Sequence, residues 1–172
     1  MNSEICHGDS VRRMRADDLA RVLAWRNHPQ IRRFMYTTHE ISLEEHAAWF
    51  QRASADARKH LLIFEADGVP MGFANLNVAT AGAIAEWGFY VAPDAPRGTG
   101  MRLGRTVLAH AFGPLGLHKV CGEALEFNER SINFHGRLGF RQEGVLRDQH
   151  FDGETYCSIV VFGLLSHEWK PL

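Results

Sequence analysis

Two periods of apolar residues organise the chain. From Asp17 to Met35, "DDLARVLAWRNHPQIRRFM", Leu19, Val22 and Leu23 share one face of a helical repeat, with Asp17 or Asp18 placed to cap its start. Pro29 predicts that this helix ends or is re-aimed there. "SLEEHAAWFQRA" opens with Ser42 and Glu45 at capping-box spacing, and Leu43, Ala47 and Phe50 continue at helical spacing. The pattern then becomes that of strands. "HLLIFEA" and "VPMGFANLNV" flank Asp67-Gly68, a two-residue hairpin signal, and a turn at "TAGA" leads into a third strand, "IAEWGFYV". A helix from about Met101 to Phe112 comes next, then the strand "HKVCGEAL" and a helix from about Asn128 to Leu138. The strands "FRQEGVLRD" and "YCSIVVFGLL" close the series, joined through Asp152-Gly153. This order predicts an α/β fold, a mixed and mostly antiparallel sheet with helices on both faces.

Between the third strand and its helix lies "APRGTGMRLGR". A glycine-rich turn at a helix mouth is an anion site made of backbone. The first N–H groups of a helix lack internal partners, the macrodipole adds positive charge, and glycines let a phosphate come close. Arg97, Arg102 and Arg105 add full charges, so a diphosphate suits the turn. No G-K-[ST] follows, which excludes a Walker loop. A dinucleotide fold, with Gly98, Gly100 and Gly104 as its glycines and Glu123 or Glu126 on the ribose, is the runner-up. A glycine turn that merely starts a helix is the plain alternative.

Composition narrows the partners. With 19 Lys and Arg against 20 Asp and Glu, the net charge of −1 offers no broad surface for nucleic acid or an anionic membrane. At 172 residues one domain is expected, with residues 1–10 as a flexible N-terminus. Cys6, Cys121 and Cys157 are odd in number and lack C-x-x-C spacing, which points to a reducing compartment. With no signal-peptide pattern and no apolar run long enough for a bilayer, a cytoplasmic protein is expected. No metal-ligand spacing appears.

The segment "VAPDAPRGTGMRLGRTVLAHAF" resembles motif A of the GNAT N-acetyltransferases through Arg97, Gly98, Thr99 and Gly100, with Arg102 where the family usually has Gly or Ala. "NERSINFHGRLGF" is similar to a second family motif through Asn128, Ser131, Arg137, Gly139 and Phe140. The resemblance implies acetyl-CoA as co-substrate, no metal, and a splayed strand pair forming the acyl-CoA cleft. Its cofactor residues here would be Phe89, Val91, Arg97, Gly98, Thr99, Gly100, Arg102, Leu103, Asn128 and Ser131. Pantetheine would lie along "WGFYV", with the N–H of Phe89, Tyr90 or Val91 as oxyanion donor. Glu86, a carboxylate in an apolar strand, is the candidate general base, its alternative being a salt bridge or an outward-facing charge. His135 stands where many relatives have the tyrosine that protonates the leaving thiolate, and Tyr90 and Tyr156 are further candidates for that acid.

The N-terminal part, "LAWRNHPQIRRFMYTTHEISLEEHAAWF", resembles the aminosugar N-acetyltransferases of pseudaminic acid biosynthesis through Trp25-Arg26-Asn27, Met35-Tyr36 and the run ending at His46. By that resemblance the acceptor is the 4-amino group of a UDP-linked 4-amino-4,6-dideoxy sugar, held by Arg26, Tyr36 and His46. Core packing is the alternative for Trp25 and Trp49, and a solvated helix face for Arg26, Arg32 and Arg33. Two other functions stay open: acetylation of a protein or peptide N-terminus, and non-catalytic acyl-CoA binding. A homodimer is compatible with the sequence.

Overall fold

The computed structural model describes residues 8–171. Of the expected N-terminal segment, residues 1–7, and with them Cys6, lie outside the described residues. Asp9 and Ser10 already belong to a strand, β1 (Asp9–Arg13), which the apolar pattern did not predict. A single 3-10 turn leads into α1 (Leu19–Asn27), α2 (Pro29–Arg32) and α3 (Leu43–Ala55). There follow β2 (Lys59–Ala66), β3 (Val69–Val78), β4 (Ile84–Val91), α4 (Thr99–Phe112), β5 (Lys119–Leu125), α5 (Glu129–Arg137), β6 (Arg141–Phe151) and β7 (Tyr156–Leu165).

Local chemistry accounts for most boundaries. Ser42 Oγ accepts from the Glu45 N–H at 3.1 Å and so caps α3. Asp67 and Gly68, both with positive φ, make the β2–β3 hairpin, and Asp152 accepts from the N–H groups of Glu154 and Thr155 in the β6–β7 turn. Asp18 does not cap α1. Its carboxylate accepts instead from the Arg12 guanidinium and the Arg15 N–H, tying β1 to the start of the helices.

The seven strands run in the order β1-β2-β3-β4-β5-β7-β6, and β4–β5 is the parallel pair. That topology overturns the dinucleotide-fold alternative, which needs a mostly parallel sheet. β2 is apolar on both faces because both are covered. Leu62 and Phe64 pack with Leu103, Val107 and Leu108 of α4, while Leu61 and Ile63 pack with Val22 and Trp25 of α1 and Ala53 of α3. Trp25 is therefore core.

The junction of β4 and β5 places the site. Their pairing stops after Ile84↔Lys119, Ala85↔Val120 and Glu86↔Cys121. Beyond it, β3 holds β4 as far as Val91, and β7 holds β5 as far as Leu125. Each strand follows its other neighbour, so the two part into a fork whose inner edges carry unpaired backbone groups.

Candidate active site

A cavity of about 880 Å³ passes through this fork. Gly100, Asn128, Ser131, Phe134 and His135 line it on the α4–α5 side, and Arg26, Tyr36, His46 and Trp49 line it on the α1–α3 side. Glu86, Phe89, Tyr90 and Val91 form its wall along β4.

At the α4 mouth Gly98 takes φ of 95°, a left-handed conformation that favours glycine. No acceptor among the described residues meets the N–H of Gly98 or Gly100, and the exposed Arg97 has no ion-pair partner there. Three neighbours are placed otherwise than the sequence suggested. Thr99 is buried, and its hydroxyl donates to the Pro96 carbonyl at 2.7 Å, which fixes the turn. The Arg102 guanidinium is paired with the Asp9 carboxylate on β1, and Leu103 is core beneath β3, outside the cavity. Of the residues the sequence assigned to an anion site at this turn, Arg97, Gly98 and Gly100 are left with unpaired groups, and Gly100 lines the cavity.

His135 corrects the sequence reading more deeply. It is 1% exposed, its Nδ1 lies 2.8 Å from the Ser131 carbonyl, and its Nε2 lies 3.1 Å from the Trp87 indole nitrogen. An indole N–H can only donate, so Nε2 is an acceptor and the proton sits on Nδ1, donated to Ser131. Both nitrogens are occupied and burial lowers the imidazole pKa, so His135 has no proton to give a thiolate. With Trp87 it fills the fork from the α5 side, its ring stacked on Phe162 at 4.6 Å. Tyr156, the other histidine-independent acid considered, is exposed against Phe151 and outside the cavity. Asn128 caps α5 through its Oδ1, which accepts from the Ser131 N–H at 3.1 Å.

Burial lowers the pKa of His46, His60, His110 and His135 alike from the ordinary 6.5. Below that value the unfolded chain takes up protons that the folded chain resists. Stability is therefore complete above pH 6.5 and falls as pH drops beneath it, by at most about 1.4 kcal/mol per pH unit for each such histidine. Asp18, Asp56 and Asp152 have lowered pKa values, so their loss comes only below the ordinary 3.8. Calorimetric melting temperatures are expected to fall between pH 7 and pH 5, with a shallower slope in His135→Gln. A flat profile would contradict the burial.

On the α1–α3 side, the Trp25-Arg26-Asn27 triplet divides its work. Trp25 enters the core, and Asn27 exchanges hydrogen bonds with the Ile41 backbone at 2.8 and 2.9 Å, holding the loop of residues 33–42 in place. Arg26 reaches the cavity. Its Nη2 donates to the Thr37 carbonyl at 2.9 Å, while Nη1 is buried without a partner among the described residues. Burial lowers the Arg26 pKa, with no carboxylate hydrogen-bonded to offset it. His46, 4% exposed and stacked on Trp49 at 5.1 Å, likewise leaves Nε2 buried and unpartnered. Orphaned buried polar atoms of this kind are met by an ordered water or by a ligand. The Tyr36 hydroxyl donates to the Glu123 carboxylate of β5, so the 33–42 loop straps across the fork. Burial and Glu123 both raise the Tyr36 pKa, and burial raises that of Tyr90.

Glu86 is exposed toward the cavity and has no salt bridge among the described residues, which removes the ion-pair alternative and leaves an outward-facing charge beside base duty. Sequence reasoning missed Trp87 and Gly122, which act through partners distant in the chain, gave Glu123 only a ribose role, and missed Asn75, whose only signal was a polar side chain in an apolar strand. Among the described residues no group of three or more His, Cys, Asp or Glu converges as a metal site, and no helix is long and apolar enough to cross a membrane.

Residues 10–141 match the family model for an acetyltransferase (GNAT) domain. Acetyltransferase PseH of Campylobacter jejuni is 26% identical over 128 residues, which span 74% of this chain and 79% of that protein. Spermidine N(1)-acetyltransferase of Escherichia coli is 21% identical over 165 residues, 95% of this chain and 89% of that protein. The crystal structure of spermidine N-acetyltransferase from Vibrio cholerae in complex with CoA and spermine superposes with a TM-score of 0.85 at 20% identity, covering 93% of this chain and 96% of that one. At that identity the likeness is one of fold.

Proposed function

Because the chain belongs to the GNAT acetyltransferase family, and so transfers acetyl from acetyl-CoA to an amine, we propose that its acceptor is a nucleotide-linked amino sugar, acetylated on the 4-amino group of a UDP-bound 4-amino-dideoxy sugar. The observation that carries this reading is the buried Arg26 Nη1, unpartnered beside the equally unpartnered His46 Nε2 in the acceptor half of the cavity. A guanidinium there repels a polyamine and suits the oxygen of a phosphate or carbonyl. Neutral His46 offers an acceptor beside that donor, a pairing matched by hydroxyl or imide groups. The likeness to PseH over 128 residues supports the same reading.

Acetyl-CoA supplies the acetyl group as a thioester, and the residues present fit it. The free amides of Gly98 and Gly100 with Arg97 would hold its diphosphate, and the N–H groups of Phe89 and Val91, which face the fork while that of Tyr90 pairs with Phe73, would donate to the carbonyl oxygen as negative charge develops. Glu86 would take the proton that the amine loses as the C–N bond forms, directly or through water. Tyr90, kept protonated by burial, would donate to the sulfur as the C–S bond breaks.

A polyamine acceptor is the second reading, because Glu45, Glu86 and Glu123 also line the cavity. Thiol release measured with a UDP-4-amino sugar, spermidine and an N-terminal peptide separates these. The expected result is preference for the sugar, and an Arg26→Ala variant whose kcat/KM for it falls about 10- to 150-fold, the loss of one charge-assisted contact of ~1.5–3 kcal/mol. Preference for spermidine, unharmed or improved by Arg26→Ala, would transfer the assignment to polyamines. Preference for the peptide would make it an N-terminal acetyltransferase.

A further inference from the structure

On the cavity wall β3 and β4 present one continuous face, on which Phe73 sits beside Tyr90, Asn75 beside Gly88, and Asn77 beside Glu86. All six line the cavity. Phe73 and Tyr90 pack ring to ring at 5.2 Å. In the next rank the space above β4 is filled from the other strand. A Cβ built on Gly88 would stand 2.6 Å from Asn75 Oδ1 but 3.6 Å from Cγ and 3.8 Å from Nδ2, so the carboxamide oxygen is turned over the Gly88 backbone. At a rise of about 3.4 Å per residue, it comes midway between Glu86 and Tyr90, roughly 7 Å along the strand from each. No hydrogen-bond partner for its side chain occurs among the described residues.

A half-buried amide that lines the cavity with no protein partner is open to a ligand's N–H or O–H. We infer that Asn75 orients the acceptor amine: its Oδ1 accepts one N–H of the attacking nitrogen, while Glu86 takes the proton that leaves. A neutral primary amine has two N–H bonds and one lone pair. With the N–H bonds directed to Asn75 and toward Glu86, the lone pair is turned to the fork, where the acetyl carbon must lie. Gly88 belongs to the same device, because any side chain there would push the carboxamide off the wall. The inference rests on acetyl transfer to an amine and holds for any of the three acceptor classes.

The test is a double-mutant cycle on the full chain with Asn75→Ala, Gly88→Ala and the pair combined, using whichever amine of the panel turns over best. Asn75→Ala is expected to lower kcat/KM for the amine on the order of tenfold. The KM for acetyl-CoA and calorimetric CoA binding should stay within twofold, which also reports an intact fold. Gly88→Ala should reproduce that loss. In the Asn75→Ala background the added methyl group meets no carboxamide, so the double variant should be no worse than the weaker single. Asn75→Asp keeps the shape but adds a negative charge that favours the ammonium form, moving the acidic limb of the kcat/KM profile to higher pH. An Asn75→Ala enzyme within twofold of wild type, or losses that multiply in the double variant, would overturn the inference. If sugar acetylation fails while another amine shows the coupled loss, the acceptor assignment is wrong and the role of Asn75 stands.

Discussion

Glu86→Gln is expected to lower kcat by about 10²–10⁴ while leaving the KM values for amine and acetyl-CoA within a few-fold. Glutamine keeps the size and much of the hydrogen bonding of glutamate but cannot accept a proton. Any role in binding therefore survives, and base duty does not. The placement supports a direct effect: Glu86 is the last residue paired across the β4–β5 junction, and its side chain opens onto the cavity at the root of the fork. It also borders a smaller pocket of about 300 Å³ with Asn77 and Cys121, room for a water relay. The deficit should shrink as pH rises, because hydroxide then takes over the proton that the nitrogen loses as the C–N bond forms. A wild-type rate in Glu86→Gln across pH 6–9 would clear this residue and leave deprotonation to solvent.

Gly122→Ala should be the most destabilising single methyl group in the site. A Cβ at Gly122 would stand 2.4 Å from His135 Nε2 and 2.7 Å from Trp87 Nε1, between the two atoms that hydrogen-bond across the fork. Both side chains are buried against Phe140, and neither is free to withdraw. Overpacking and the loss of a buried hydrogen bond together cost about 2–5 kcal/mol, a fall in melting temperature of order 10 °C for a chain of this size. His135→Ala removes the obstruction, so adding it to Gly122→Ala should cost less than the sum of the two changes. Additive losses would show that Gly122 and His135 do not share this wedge.

Both predictions turn on the fork, and the fork was only partly legible in the chain. The hairpin at Asp67-Gly68, the Ser42 cap and the third strand from Ile84 to Val91 were readable because each is written in adjacent residues. β1 was not. Its single inward apolar residue, Val11, gives no period, and it becomes a strand because β2 offers an edge and Asp18 and Glu65 hold Arg12. Arg102 shows the same limit: at the helix mouth it looks like a phosphate ligand, yet Asp9, remote in sequence, takes its charge. His135 is the sharpest case. Its position in a motif suggested an acid, but a histidine's role is set by what its two nitrogens touch, and Trp87 and Ser131 occupy both.

By itself the sequence determined most of the elements, their order and the glycine turn at the mouth of α4, since period, turn chemistry and capping act over a few residues, while its resemblance to an acyl-CoA-using family rested on two short motifs. Only the tertiary structure decided which candidates face the cavity, that Arg26 and His46 are left unsatisfied there, and that Asn75 lies over Gly88. Those facts depend on strands parting and helices closing over them, where the energy of a side chain is fixed by neighbours the chain brings from far away.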